Sequence, residues 1–204
     1  MTNEKPTRNV VDQNTLPENF PTHRHEAYFW ECLGRTVATF GFLEEVLSKA
    51  IFAFTAKTKY RGNEIEEAYA QWLSKLEKSL SDPLGGLINT YGKVVRDNPE
   101  STIENLKDLL LDLEEASKIR NILCHGSWGA PDQSGASIPF FVNRQKEIFE
   151  TPIDVTFLKQ VMKHAVELAC AVINSVTHMG WQFPGSSSPG EVIWSEAQCF
   201  SRAW

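Results

Sequence analysis

Apolar side chains recur along this chain in steps of three and four. The first series is Trp30, Leu33, Val37, Phe40, Leu47, Ile51 and Phe54. At 3.6 residues per turn these positions share one face, which predicts a helix from near His25 to Lys57–Tyr60. The step missing from the series falls on Glu44. Arg61–Gly62–Asn63 reads as a turn, and a second helix follows from about Glu64 to Leu80 with Ala68, Trp72, Leu76 and Leu80 as its apolar positions. Ser81–Asp82–Pro83 then marks a stop and restart, with Asp82 as N-cap and Pro83 at the first helical position. The segment LGGLINTYGKVV predicts a short helix weakened by Gly85, Gly86 and Gly92, and Asn98–Pro99 breaks it.

The next helix is predicted from about Ser101 to His125. Its series runs Ile103, Leu106, Leu110, Leu113 and then, in register, Ser117, Arg120 and Cys124, with Gly126 placed as the C-terminal cap. Residues 127–150 lose this period. IPFFVNRQKEIFE reads as two short strands about Asn143–Arg144–Gln145. The last helix is predicted from Pro152–Asp154 to Gly180, with a wide apolar face from Leu158 to Val176. The expected architecture is all-α: an antiparallel bundle of four to five helices with a small β-hairpin insertion before the last. Residues 1–22 form an irregular arm with Pro6, Pro17 and Pro21, residues 23–181 the helical domain, and residues 182–204 a tail. The tail ends in an apolar set, Ile193, Ala197, Phe200 and Trp204, that suits a short docking helix or a mobile extension.

Composition adjusts this picture little. The chain has 204 residues and a formal net charge of −6, so contact with nucleic acid requires a local basic patch rather than a cationic coat. Cys32, Cys124, Cys170 and Cys199 lie far apart with no CxxC pair. They are expected as reduced thiols of a cytoplasmic protein, the first three buried or half-buried, without a metal site or cofactor. No apolar run is long enough to span a membrane, and the first residues lack a signal peptide's apolar core.

Candidate chemistry gathers at IRNILCHG, residues 119–126. Arg120 falls on the apolar stripe, where a guanidinium is costly unless it is paired or reaches a wet cleft. A buried ion pair and an anion site are both open to it. Glu44, which interrupts the first helix as Arg120 interrupts the fourth, is either its partner or a solvent-reaching flank of the core. At about 100° per residue His125 lies roughly 140° round the helix from Arg120. The two converge if the last turn unwinds or if a two-fold axis pairs two copies. Asn121 shares the face of His125 and is placed to orient its imidazole. A histidine at a helix C-terminus also serves the dipole alone.

The string R-N-I-L-C-H, an Arg followed directly by Asn and, five residues on, by His at the end of a long helix, resembles the motif of the HEPN superfamily. The resemblance covers roughly residues 25–180. It implies a dimeric helical bundle whose motif helices face each other across a composite cleft. Many members are metal-independent endoribonucleases, several acting as toxins or defence effectors. By this resemblance Arg120 holds the scissile phosphate, His125 acts as general base or acid, Asn121 orients His125 or contacts the phosphate, and Glu44 or Glu45 supports Arg120. The implied partners are RNA, a second copy of the chain, and an antitoxin or regulatory protein. Arg144 and Lys146, at the predicted hairpin tip, would steer RNA inward, or be solvated tip residues. Trp128 would stack on a base, or cap the core. His23 and His25 with Arg24 and Glu26 read as a helix-start or interface cluster, and His164 and His178 as structural. The superfamily also holds non-catalytic binding and scaffold modules, the competing reading here. A third is a partner-binding bundle that docks through the tail.

Overall fold

The computed structural model describes residues 10–56 and 83–186. The predicted helix over 64–80, its Asp82 cap and the tail's apolar set lie outside the described residues. Four α-helices lie within them: α1 (Ala27–Ala56), α2 (Leu84–Asp97), α3 (Leu106–His125) and α4 (Val155–Thr177). The all-α expectation therefore holds for the described chain.

The long first helix is the centre of the core. It packs most extensively on α4, then on α2, and more narrowly on α3. This explains why its predicted stripe is only half of what it buries. Leu33, Phe40, Leu47, Ile51 and Phe54 are buried as expected, but so is a second row, Phe29, Cys32, Leu43, Val46, Ala50 and Ala53. A helix with neighbours on several sides needs both. Within α1, Thr36 satisfies its buried hydroxyl by donating to Cys32 O at 2.8 Å, and it lies 3.3 Å from Leu158 O.

Helix direction follows from paired contacts. A side chain at Gly92 would meet Leu110, and one at Gly85 would approach Ser117, so α2 and α3 run antiparallel across their short connection. By contrast, Thr36 meets Leu158 and Phe54 meets Trp181, just past α4, so α1 and α4 run the same way. The antiparallel expectation thus fits the sequence neighbours α2 and α3, while the largest interface joins parallel helices far apart in sequence. Tyr91 of α2 ties to α4 by donating to Ser175 Oγ at 2.7 Å. Burial raises its phenol to a pKa of about 12.

The N-cap of α4 is Asp154, whose carboxylate accepts from Phe157 N at 2.7 Å. Gly180 follows α4 at φ 74°, in the left-handed region glycine favours. Pro83 stands at the N-cap of α2, with helical backbone starting one residue later than predicted. Residues 101–105 precede α3, which begins at Leu106 rather than Ser101.

Between α3 and α4 the predicted strands reduce to isolated antiparallel bridges: Ser127 with Phe140, Ser137 with Ile153, and Val142 with Ile148. No longer strand forms among the described residues, because the chain turns away after each pairing. Two cysteines also differ from expectation. Cys32 is buried, but Cys124 and Cys170 are exposed. Ile122 and Leu123 take the core-facing positions at the end of α3, and Ala169 and Val172 do so in α4, which leaves both thiols on outward faces. No helix among the described residues is long and apolar enough to cross a membrane.

Candidate functional site

The C-terminal half of α3, the start of α2 and the turn at 141–149 enclose a cleft of about 1040 Å³. Arg120, Asn121 and His125 all line it. The helix stays intact through His125, so no unwinding brings the motif together. One chain's cleft reaches both Arg120 and His125 because the 141–149 turn faces the end of α3 from across the opening. Arg120's bonds go to Glu44 and Asn121 and not to His125, so the two share the cleft without touching.

Arg120 is half-buried, and its burial is compensated. Its Nη2 donates to Glu44 Oε1 at 3.1 Å, joining α3 to α1. Its Nη1 donates to Asn121 Oδ1 at 3.4 Å. Both side chains of the ion pair keep about a quarter of their surface, at 24% and 27% exposed. Glu44 therefore pairs with Arg120 while retaining some contact with water, and the row of Leu43, Val46 and Ala50 is buried as well. A guanidinium carries five donors in a rigid fork. The two contacts fix its plane and leave other N–H groups for the cleft. Asn121 gives its oxygen to Arg120 rather than to His125. The imidazole of His125 is exposed on the cleft's rim, in the last turn of α3.

The opposite wall is built by a tight turn. Asn143 O accepts from Lys146 N at 3.0 Å, and Asn143 N donates to Glu147 O at 3.0 Å. The side chains repeat this clasp: Asn143 Nδ2 donates to Glu147 Oε2 at 2.6 Å, and Asn143 Oδ1 accepts from Glu147 N at 2.9 Å. Lys146 closes the turn at φ 66°, in the left-handed region. The turn separates the two predicted steering residues. Arg144 lines the cleft, and Lys146 is exposed without lining it.

Trp128 lies elsewhere. Its ring sits 5.1 Å from Phe29, 6.2 Å from Trp30 and 6.3 Å from His25, edge-on to each. It is half-buried at the start of α1 and does not line the cleft. His25 anchors the same region. Its ring stacks on Phe29 at 4.1 Å, and its Nε2 lies 3.1 Å from both Gly129 O and Ser137 Oγ. The carbonyl can only accept, so Nε2 carries the proton. Desolvation holds this imidazole below the ordinary value of 6.5, against an opposing contribution from the Gly129 bond. His25 thus belongs to the core. Among the described residues no group of three or more His, Cys, Asp or Glu side chains is placed to hold a metal.

The cleft residues that sequence reasoning missed include Phe141, Phe149, Val142, Ile148, Gln145 and Lys118. The signal for the aromatic pair was present in the apolar run of IPFFV and in IFE, which the 141–149 turn brings together through a bond from Phe149 N to Phe141 O. Among the cleft's lining residues, Lys118, Arg120 and Arg144 stand against a single carboxylate, Glu147. Arg120 is also paired with Glu44 and Lys118 with Glu115, so the local charge is close to balanced. Comparison of the chain with protein-family models, with curated proteins and with solved structures gives no match.

Proposed function

We propose that the protein is a metal-independent endoribonuclease of HEPN type, acting at the cleft lined by Arg120, Asn121 and His125, with roles in toxin or defence systems as the biological setting. The observation that carries this reading is the presence of an exposed imidazole and a guanidinium held by Glu44 and Asn121 on one cleft. The reaction is attack of a ribose 2′-oxygen on the adjacent phosphorus. The O2′–P bond forms, the P–O5′ bond breaks, and the products are a 2′,3′-cyclic phosphate and a 5′-hydroxyl. The nucleophile is part of the substrate, so the step needs no metal-bound water. His125 takes the 2′ proton or delivers one to the leaving 5′-oxygen, roles suited to an imidazole near neutral pH. Arg120 neutralises the phosphate and the charge that grows on it.

Proton removal and proton delivery occur at opposite ends of the reacting phosphate, and each cleft has one His125. A second copy related by a two-fold axis would supply the other imidazole, which supports a homodimer with a composite site. The test is product chemistry. Cleaved RNA should carry cyclic phosphate ends, and a 2′-deoxy residue at the scissile position should block cleavage. Linear 3′-hydroxyl or 5′-phosphate ends would rule the mechanism out.

The second reading is a non-catalytic HEPN-type binding or scaffold module. The bond from Arg120 to Glu44 favours it, since that bond alone gives the arginine a structural task. Under this reading RNA survives intact, and loss of Arg120 damages folding only.

A further inference from the structure

The two walls of the cleft differ in chemistry. The α3 wall is polar, with Lys118, Arg120, Asn121 and His125. The turn wall has two apolar limbs, Phe141–Val142 and Ile148–Phe149, on either side of a polar tip, Asn143, Arg144, Gln145 and Glu147. Phe141 and Phe149 are half-buried, while Val142 is 43% exposed and Ile148 60% exposed. Exposed aliphatic side chains at the edge of a polar cleft are poor partners for water.

Size narrows the ligand. A cleft of about 1040 Å³ is at the upper end of the roughly 300–1,000 Å³ typical of pockets for drug-sized molecules. A phosphate at Arg120 would fill a small part of it. The remainder suits a flat apolar ring attached to that phosphate. The turn is also held rigid, by the double Asn143–Glu147 clasp. That clasp also fixes where the one carboxylate of the lining sits, by a bond from Asn143 Nδ2 to Glu147 Oε2. Arg144 and Gln145 stand at the tip of the same wall, with donors and an acceptor that can meet a ring's edge.

We infer that the 141–149 turn is the base-binding wall of the cleft, and that the ligand is an unpaired RNA strand. A nucleobase lies against Val142, Ile148 and the two phenylalanines while its phosphate meets Arg120. Gln145 and Arg144 read the base edge. The strand must be unpaired, because bases of a duplex are stacked inside it and cannot leave their neighbours to reach the wall. This inference rests on the reading of the cleft as an RNA site, but it concerns binding and does not depend on cleavage.

The experiment is a fluorescence-anisotropy titration with a labelled single-stranded RNA, the same strand in duplex, and an abasic strand of equal length. The proteins are the full chain in its His125→Ala form, to prevent turnover, and that form carrying Ile148→Ser with Gln145→Ala, or Arg120→Ala. Both turn positions are exposed, and circular dichroism would confirm that the variants fold. The wall predicts that the unpaired strand binds at least about fivefold more tightly than the abasic one, the scale of one stacked base. It also predicts that the duplex binds weakly, and that the turn variant erases the abasic difference while keeping affinity for the abasic strand. Equal binding of the base-bearing strand by the turn variant, with loss only in Arg120→Ala, would overturn the wall and leave the RNA site standing. Absence of RNA binding by the parent would overturn both.

Discussion

Arg120 shows what one residue's position can disclose. A charge on an apolar stripe demands a partner, and an opposite charge interrupting another stripe offers one. The Glu44–Arg120 pair was therefore legible before any coordinates, as one of two readings for each residue. Asn121 was less legible, because a shared helix face with His125 does not say which neighbour its amide prefers. Trp128 was legible only as one of two readings: it follows the helix end, where periodicity no longer gives direction, and it packs on the core with His25, Phe29 and Trp30, as the capping reading has it. Glu44→Ala should lower stability by about 1–3 kcal/mol in urea melts, between the values for exposed and fully buried pairs. Glu44→Gln should recover much of that loss by keeping an acceptor. Arg120→Lys should not substitute for arginine, since an ammonium cannot bridge Glu44 and Asn121 in one plane.

At the scale of elements, the helices were legible from their 3.6-residue period, and their ends were placed within a few residues. The connection from 126 to 154 was not, because its pairings are single bridges whose register depends on distant anchors. Gly126 illustrates the point. The sequence marks it as a cap, and it does follow α3, but with extended backbone at φ −69°. What requires glycine there is space: an added Cβ would stand 2.7 Å from Ile122 O and 2.7 Å from Pro139 Cβ. Gly126→Ala should therefore cost about 1–3 kcal/mol by overpacking. It should also displace the limb that leads to the 141–149 turn. Chemical denaturation would check the first effect, and RNA affinity the second. The exposure of Cys124 has a related cause. The sequence stripe continued through it, but the end of α3 turns Ile122 and Leu123 to the core instead.

For the whole molecule, acidity and local charge have separate consequences. Net charge −6 repels RNA at long range, so binding at a cleft with a few cations should be weak and salt-sensitive. Engagement of two or three phosphates predicts a log–log salt slope of roughly −1.4 to −2 for single strands. Stability should also depend on pH through His25. Its folded pKa lies below 6.5, so below that pH the unfolded chain binds protons that the folded chain refuses. Stability is retained above about 6.5 and falls as pH drops through the folded value. Melting curves of His25→Gln should show a shallower loss over that window. The composite dimer has its own test. Equal mixing of wild-type and His125→Ala chains gives mixed dimers that lack one imidazole of the composite site. Activity should fall to roughly a quarter of the wild-type value if each site needs His125 of both chains, and to roughly half if each chain acts alone.

The central claim is catalysis by His125 and Arg120 at the cleft, and its most direct measurement is cleavage of RNA in EDTA by the wild-type chain, His125→Ala and Arg120→Ala, each confirmed as folded. Cleavage by the wild type, with losses of about 10²-fold or more in both variants, is the predicted result. Intact RNA with all three chains, or equal cleavage by all three, would contradict it.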